Sequence, residues 1–325
     1  MYHGLRAALV LLLVAAWPAG AAMEADPAQL LQRMQQAYRQ LNFELTLVDS
    51  SIGEPEPKRL TRGHVNGQAL THLLHLNGRP REFVQRDDET SFFDYGPEGY
   101  TLRDSRLPGL FTRVQHLPLE HLYQHYDAVI AGRSRVLGRT ANLVRLLPRA
   151  ERCYGYVLWL DQQTGLLLRL DTLDHEATLV AQSMGVALTI SEQPAPVLQE
   201  LQDIRLPPAM PLAEAQPETG APTWRTGWLP KGFEVRTQNR HRLPLTEQPV
   251  DYLMASNGVV DVSVYVAETQ VSEPRQQLVR QGATHLVSLV GPGRLEVTVV
   301  GDVPADIARR IAESVTANKV AETRE

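Results

Sequence analysis

The chain has 325 residues, with 32 lysines and arginines against 37 acids and a formal net charge of -5. With no basic excess to neutralise phosphates, it is not built as a general nucleic-acid binder. One cysteine, Cys153, cannot close an intramolecular disulfide, so the fold must stand on its own apolar core, and the length suits two domains.

Residues 1–22 read as a secretory signal peptide. Arg6 supplies the positive start, Ala7 to Ala16 an apolar run, and Ala19-Gly20-Ala21-Ala22 the small residues a signal peptidase needs. The run is shorter than the roughly 20 apolar residues of a membrane helix, and no later segment qualifies. Cleavage removes Arg6 and no acid, leaving a mature charge near -6. Export without disulfides fits a bacterial periplasm, with the protein soluble after signal removal.

Asp26-Pro27 is an N-cap followed by proline at the first helical position. Leu30, Leu31, Met34, Ala37, Tyr38 and Leu41 then recur at helical spacing, which predicts an amphipathic helix laid on an apolar surface. From Phe43 the period shortens. Strands are expected at Phe43–Ile52, Glu82–Arg86 and Ser91–Asp94, with Asn66-Gly67 and Asn77-Gly78 as type I′ hairpin signals and a break at Tyr95–Gly99. A helical piece over Leu117–His125 precedes strands at Ala128–Leu137, Ala141–Leu147, Tyr154–Asp161, Leu166–Leu173 and Leu179–Ile190. Many short strands with few helices predict one large antiparallel sheet.

Between Glu192 and Thr223 stand seven of the 22 prolines, a stretch that cannot pair as a central strand. It reads as an extended linker with a short helix around Val197–Asp203. Beyond it, Val250–Ser256 and Val259–Ala267 flank Asn257-Gly258, and His285–Val290 and Leu295–Val300 flank Gly291–Arg294, two further hairpins. A helix follows Pro304 with Ile307, Ile311 and Val315 as its apolar stripe. The division expected is a signal peptide at 1–22, a large sheet domain at 23–191, a proline-rich linker at 192–223, a small α+β domain at 224–318 and a frayed tail at 319–325.

Motifs for catalysis are missing. There is no Gly-x-Ser-x-Gly, no phosphate loop and no Cys-x-x-Cys, and His175-Glu176 has Leu179 where a zinc protease needs its second histidine. His121 and His125, one helical turn apart, fit a metal only with a third ligand from His116 or Glu120, and two polar residues on an exposed helix face is the plainer reading. Asp87-Asp88-Glu89 reads as a solvated turn and Cys153 as a small core residue. No enzyme, cofactor or metal is expected.

Four segments together resemble the RseB/MucB family of periplasmic regulators: Leu73–Arg86, Tyr154–Asp161, Trp228–Phe233, and Val297–Pro304 running on to Glu313. They lie in both halves in the family's order. The resemblance implies a large domain similar to LolA/LppX lipoprotein carriers, a curved antiparallel half-barrel with covering helices, and a smaller C-terminal α+β domain. It implies a negative regulator of the sigma-E stress response. Such a protein binds the periplasmic segment of an RseA/MucA-type anti-sigma factor, shields it from site-1 proteolysis, and releases it when lipopolysaccharide or another acyl lipid binds. A carrier of lipid or lipoprotein without a regulatory partner is the rival reading, and a homo-oligomer is compatible with either. Trp224, Trp228, Leu229 and Phe233 concentrate aromatic area for a partner. Arg79, Arg81 and Arg86, beside predicted turns, are suited to a lipid head group.

Overall fold

The computed structural model describes residues 26–50, 54–94, 99–103, 105–210, 224–242, 249–269, 274–290 and 295–317. The signal segment, the Tyr95–Glu98 part of the expected break, the proline-bearing stretch 211–223, the turn 291–294 and the tail after Ala317 lie outside these residues.

The chain opens with α1 (Pro27–Gln40), where the Asp26 carboxylate accepts from Ala28 N at 3.0 Å and Leu31, Met34, Ala37 and Tyr38 form the buried stripe. Strands β1 (Asn42–Ser50), β2 (Glu56–Val65), β3 (Gln68–His75), β4 (Glu82–Arg86), β5 (Glu89–Phe93) and β6 (Tyr100–Arg103) form a meander. Two short helices, α2 (Leu110–Arg113) and α3 (Leu119–His125), lead to β7 (Tyr126–Val136), β8 (Arg139–Pro148), β9 (Gly155–Asp161), β10 (Leu167–Leu173) and β11 (Leu179–Ser191). After α4 (Pro196–Asp203) and β12 (Ala209–Met210) come β13 (Trp224–Thr226), β14 (Glu234–Arg242), β15 (Pro249–Ser256), β16 (Asp261–Glu268), β17 (Arg275–Gln281), β18 (Thr284–Val290) and β19 (Leu295–Gly301). Helix α5 (Ala305–Glu313) and β20 (Val315–Ala317) complete the described chain.

The large sheet runs β12-β6-β5-β4-β3-β2-β1-β11-β10-β9-β8-β7. All its pairs are antiparallel except β12–β6. It is strongly curved. Helix α1 touches both β2 and β7, which stand six places apart in the strand order, and Arg33 of α1 donates to Gln162 O at the β9–β10 turn. A flat sheet would hold those strands about 29 Å apart at normal strand spacing. The inner face follows from period 2: Phe43, Leu45 and Leu47 are buried on β1, and the row Leu45, Leu60, Leu73, Phe83, Phe92 crosses five strands toward α1.

A second sheet, β14-β15-β16-β19-β18-β17, carries α5 against β18 and β19, and β13 pairs with β20 beside it. One contiguous apolar cluster joins the two sheets, from Leu31 and Leu158 to Val299 and Ile311.

Several expectations change. The second unit has six strands where four were anticipated, because the sequences of β17 and β14 carry no apolar alternation. Val315 leaves the helix for β20, opposite Thr226. Asn66 and Gly67 do adopt φ of 51° and 83°, as a type I′ turn requires. At Asn77-Gly78 only Gly78 is left-handed, since the connection is a wider loop closed by His75 N to Arg81 O at 3.0 Å. At Asn257-Gly258 the loop is likewise longer, because Asn257 turns its carboxamide oxygen onto Val259 N and Val260 N.

Candidate binding site

Part of the proline-rich stretch is docked on the sheet. Leu198 of α4 is fully buried with Val65 and Leu70 on the face opposite α1. Arg86 fastens the end of the helix, its Nη2 donating to Leu201 O and, at 2.6 Å, to Ile204 O. Gln202 adds bonds to Val65 O and Asn66. The chain then runs to β12 and pairs with β6.

This strap roofs a cavity of about 690 Å³ over β3, β4 and β5. Its walls are Leu74, Val84 and Phe93 from the sheet and Leu201, Ile204 and Leu206 from the strap, with Arg79, Arg81, Glu82 and Asp94 at its polar side. Ile204 is 50% exposed, so the apolar lining is open to solvent. An apolar hollow of this size with a few charges at its mouth is the ordinary form of a site for an amphiphile. Of the three arginines named from the sequence, two line this cavity and the third holds its roof.

The cations differ in availability. Arg81 pairs with Glu56 at 3.2 Å, whereas exposed Arg79 makes no ion pair among the described residues. Outside this cavity, Glu56 also pairs with Lys58, which bonds Asp49, and His75 Nδ1 lies 3.7 Å from Glu56. Burial, then the charges of Lys58 and Arg81, depress His75 to about 4. Burial pushes Glu56 up, but Lys58 and Arg81 outweigh it and hold the carboxyl below its usual value. At the cavity itself two arginines face two carboxylates, Glu82 and Asp94, and Arg79 is the cation left without an ion pair among the described residues.

The four apolar residues proposed for a partner sit in the second unit. Trp224 and Phe233 are buried. Trp228 and Leu229 are half-buried, and Arg310 lies over the Trp228 ring at 4.0 Å.

His121 is exposed and His125 half-buried. No cluster of three His, Cys, Asp or Glu with metal-site geometry occurs among the described residues. Instead α3 abuts the second unit: a Cβ at Gly232 would lie 2.5 Å from His125 Nδ1, and one at Gly258 3.7 Å from His121 Cβ. The same junction holds Arg113, which donates to Val259 O and Asp261, and Arg152 with Asp306 at 2.7 Å. His285 Nδ1 lies 2.9 Å from Val303 O and 3.4 Å from the Tyr154 hydroxyl. A cavity of about 360 Å³ opens beside it between Arg106, Arg113, His116 and Asp261. No sequence signal marks the contacts between the two units, because those of Arg113, Arg152 and Tyr154 reach residues more than a hundred positions away. Cys153 is buried beside this junction, and burial pushes its thiol up to about 11, so it behaves as a core side chain.

Sequence comparison matches residues 26–210 to the MucB/RseB N-terminal domain and residues 218–316 to the MucB/RseB C-terminal domain. The sigma-E factor regulatory protein RseB of Salmonella typhimurium is 32% identical, over 90% of this chain and 91% of its own. The sigma factor AlgU regulatory protein MucB of Pseudomonas aeruginosa is 31% identical, over 94% of this chain and 96% of its own. Among solved structures, the Pseudomonas aeruginosa MucA/MucB complex superposes with a TM-score of 0.72 at 28% identity, covering 91% of this chain and all of that one. A crystal structure of MucB superposes with a TM-score of 0.59 at 26% identity, covering 91% and 99%.

Proposed function

This chain belongs to the MucB/RseB family, and we propose that it is a periplasmic negative regulator of a sigma-E-type stress response, acting by occlusion without catalysis. It binds the periplasmic segment of a membrane-bound anti-sigma factor and keeps the site-1 protease from it. The observation that carries this reading is the likeness of both sheets, in one chain and one arrangement, to MucB as solved with MucA. A carrier needs only the large sheet, and the second unit would then be idle.

The cavity under the α4–β12 strap supplies the regulatory input. Its apolar walls take acyl chains, Arg79 and Arg81 meet an anionic head group, and Arg86 acts by holding the roof in place. Lipid releases the partner only if the two states of the protein differ in affinity for it. On the second unit, Trp228 and Leu229 offer surface to the partner, while Trp224 and Phe233 support them from beneath.

Calorimetric titration with the periplasmic segment of the host's anti-sigma factor, repeated in the presence of lipopolysaccharide, tests the proposal. Binding that weakens with lipid supports it. Equal affinity with and without lipid defeats the lipid switch, and binding of lipid with none of the segment turns the reading to a carrier.

A further inference from the structure

We propose that strand β17 is a docking edge that accepts an extended, acid-bearing segment of a partner polypeptide as an added strand. This deepens the preceding reading and rests on it for the identity of the partner.

β17 is the last strand of the second sheet, and β18 alone pairs with it among the described residues. All seven of its residues are exposed, and its register with β18 runs from Arg275 to Gln281 without a shift. One whole row of backbone N–H and C=O groups therefore faces outward on a regular strand. Such an edge normally invites pairing and is blunted by a bulge, a central charge or a proline. The outer edge of the large sheet is blunted in this way. β7 has a register shift between Ile130 and Gly132, with Gly132 at φ 101°, and carries Arg133 and Arg135 within its exposed stretch. β17 has neither bulge nor internal proline, and its centre, Gln276 to Val279, is uncharged. Leu278 and Val279 in that centre are 49% and 47% exposed.

The charges at its ends decide what fits. Gln276, Leu278 and Arg280 lie on the α5 side of the sheet, and the Gln276 carboxamide oxygen accepts from Arg309 of α5 at 2.7 and 3.2 Å. Arg275, Gln277 and Val279 lie on the other side. β17 contains no acid, and Arg275, Arg280 and Arg309 form no ion pair among the described residues. An incoming strand thus meets a guanidinium on each side of the sheet, five positions apart, with two apolar side chains between them. A segment with an acid at each end of an apolar pair is complementary, since opposite charges and apolar groups placed directly across a strand pair are favourable. A second copy offers no acid to either guanidinium: β17 contains none, so self-pairing leaves Arg275 and Arg280 without opposite charges across the strand pair. Lipid or nucleic-acid phosphates would answer the arginines but not the alternating backbone donors and acceptors.

The test is hydrogen exchange of the full mature chain, alone and with the periplasmic segment of the host's anti-sigma factor. Amides of β17 exchange fast in the free chain, and those on its outward row are slowed on binding. The double variant Arg275→Glu/Arg280→Glu, whose altered side chains are both exposed, weakens binding about tenfold or more at low salt, an effect that shrinks near 0.5 M salt. Arg133→Glu on β7 serves as control and leaves binding unchanged. Tight binding with no new protection on β17, or indifference to the double variant, overturns the docking edge while leaving the regulator intact. No binding of the segment overturns both. Protection that appears when the chain alone is concentrated, with dimers in the ultracentrifuge, assigns the edge to a second copy and refutes the proposal.

Discussion

Arg62 is 7% exposed and has no carboxylate partner among the described residues, an arrangement that normally costs several kcal/mol in desolvation. Its surroundings explain why it is kept. Arg62 Nε donates to Tyr38 O and Nη1 to Thr71 Oγ1, both at 2.5 Å, and the guanidinium lies 4.5 Å from the Tyr38 ring centroid. Tyr38 is in the last turn of α1, where backbone carbonyls have no helical partner and the helix dipole favours a cation. Arg62 thus caps the helix around which the large sheet curls. Methionine at this position would fill most of the stem's volume but leave two buried acceptors without a donor, at about 1–3 kcal/mol each. Relief of guanidinium desolvation offsets part of that loss, so Arg62→Met should destabilise by about 2–4 kcal/mol. With an m-value of about 3 kcal/mol/M, the urea midpoint followed by far-UV circular dichroism should fall by about 1 M. An unchanged or raised midpoint would refute the capping argument and show that desolvation dominates at this site.

Three further outcomes follow from the same structure. Leu198→Ala, which empties the small cluster under α4, should cost about 2–3 kcal/mol, speed amide exchange of α4 selectively, and abolish any ligand uptake beneath the strap. Asp161 is buried in a fork of Arg139 at 2.9 and 3.0 Å with Thr164 behind it, and although burial pushes its carboxyl up, these bonds outweigh it and hold it below the usual value. Its stabilising contribution is therefore complete above the ordinary aspartate value and lost as pH falls through the depressed one, and Arg139→Ala should cost about 3–5 kcal/mol in urea unfolding at pH 7. Burial, then the charge of Arg62, lowers His116 to about 4, so between pH 6.5 and 4 the unfolded chain binds a proton the folded chain does not; stability should decline over that window, and His116→Phe should flatten the decline.

The large sheet was legible because its strands alternate and its turns carry residues chosen for left-handed backbone, as at Phe43–Leu47 and Asn66-Gly67. β17 was not legible, since a strand exposed along its whole length has no buried period to display. The arginines at 79, 81 and 86 could be placed near turns from sequence. Their division into one at the rim, one paired with Glu56 and one fastening α4 depends on where the strap lies, which rests on single long-range contacts such as Leu198 with Leu70. Arg62 was overlooked for a related reason: a charged residue in a strand reads as surface until the helix end above it is known. Of the α3 histidines, His121 lies exposed as its helix face suggests, while His125 is half-buried against Gly232 by packing between distant parts of the chain that no local pattern displays.

The account stands or falls on occlusion. The most direct measurement is the rate at which the site-1 protease cuts the periplasmic segment of the host's anti-sigma factor, with and without stoichiometric mature chain. The account predicts that cleavage slows in proportion to the fraction of segment bound and recovers when lipopolysaccharide is added. Cleavage at the free rate under conditions where the segment is fully bound would contradict it.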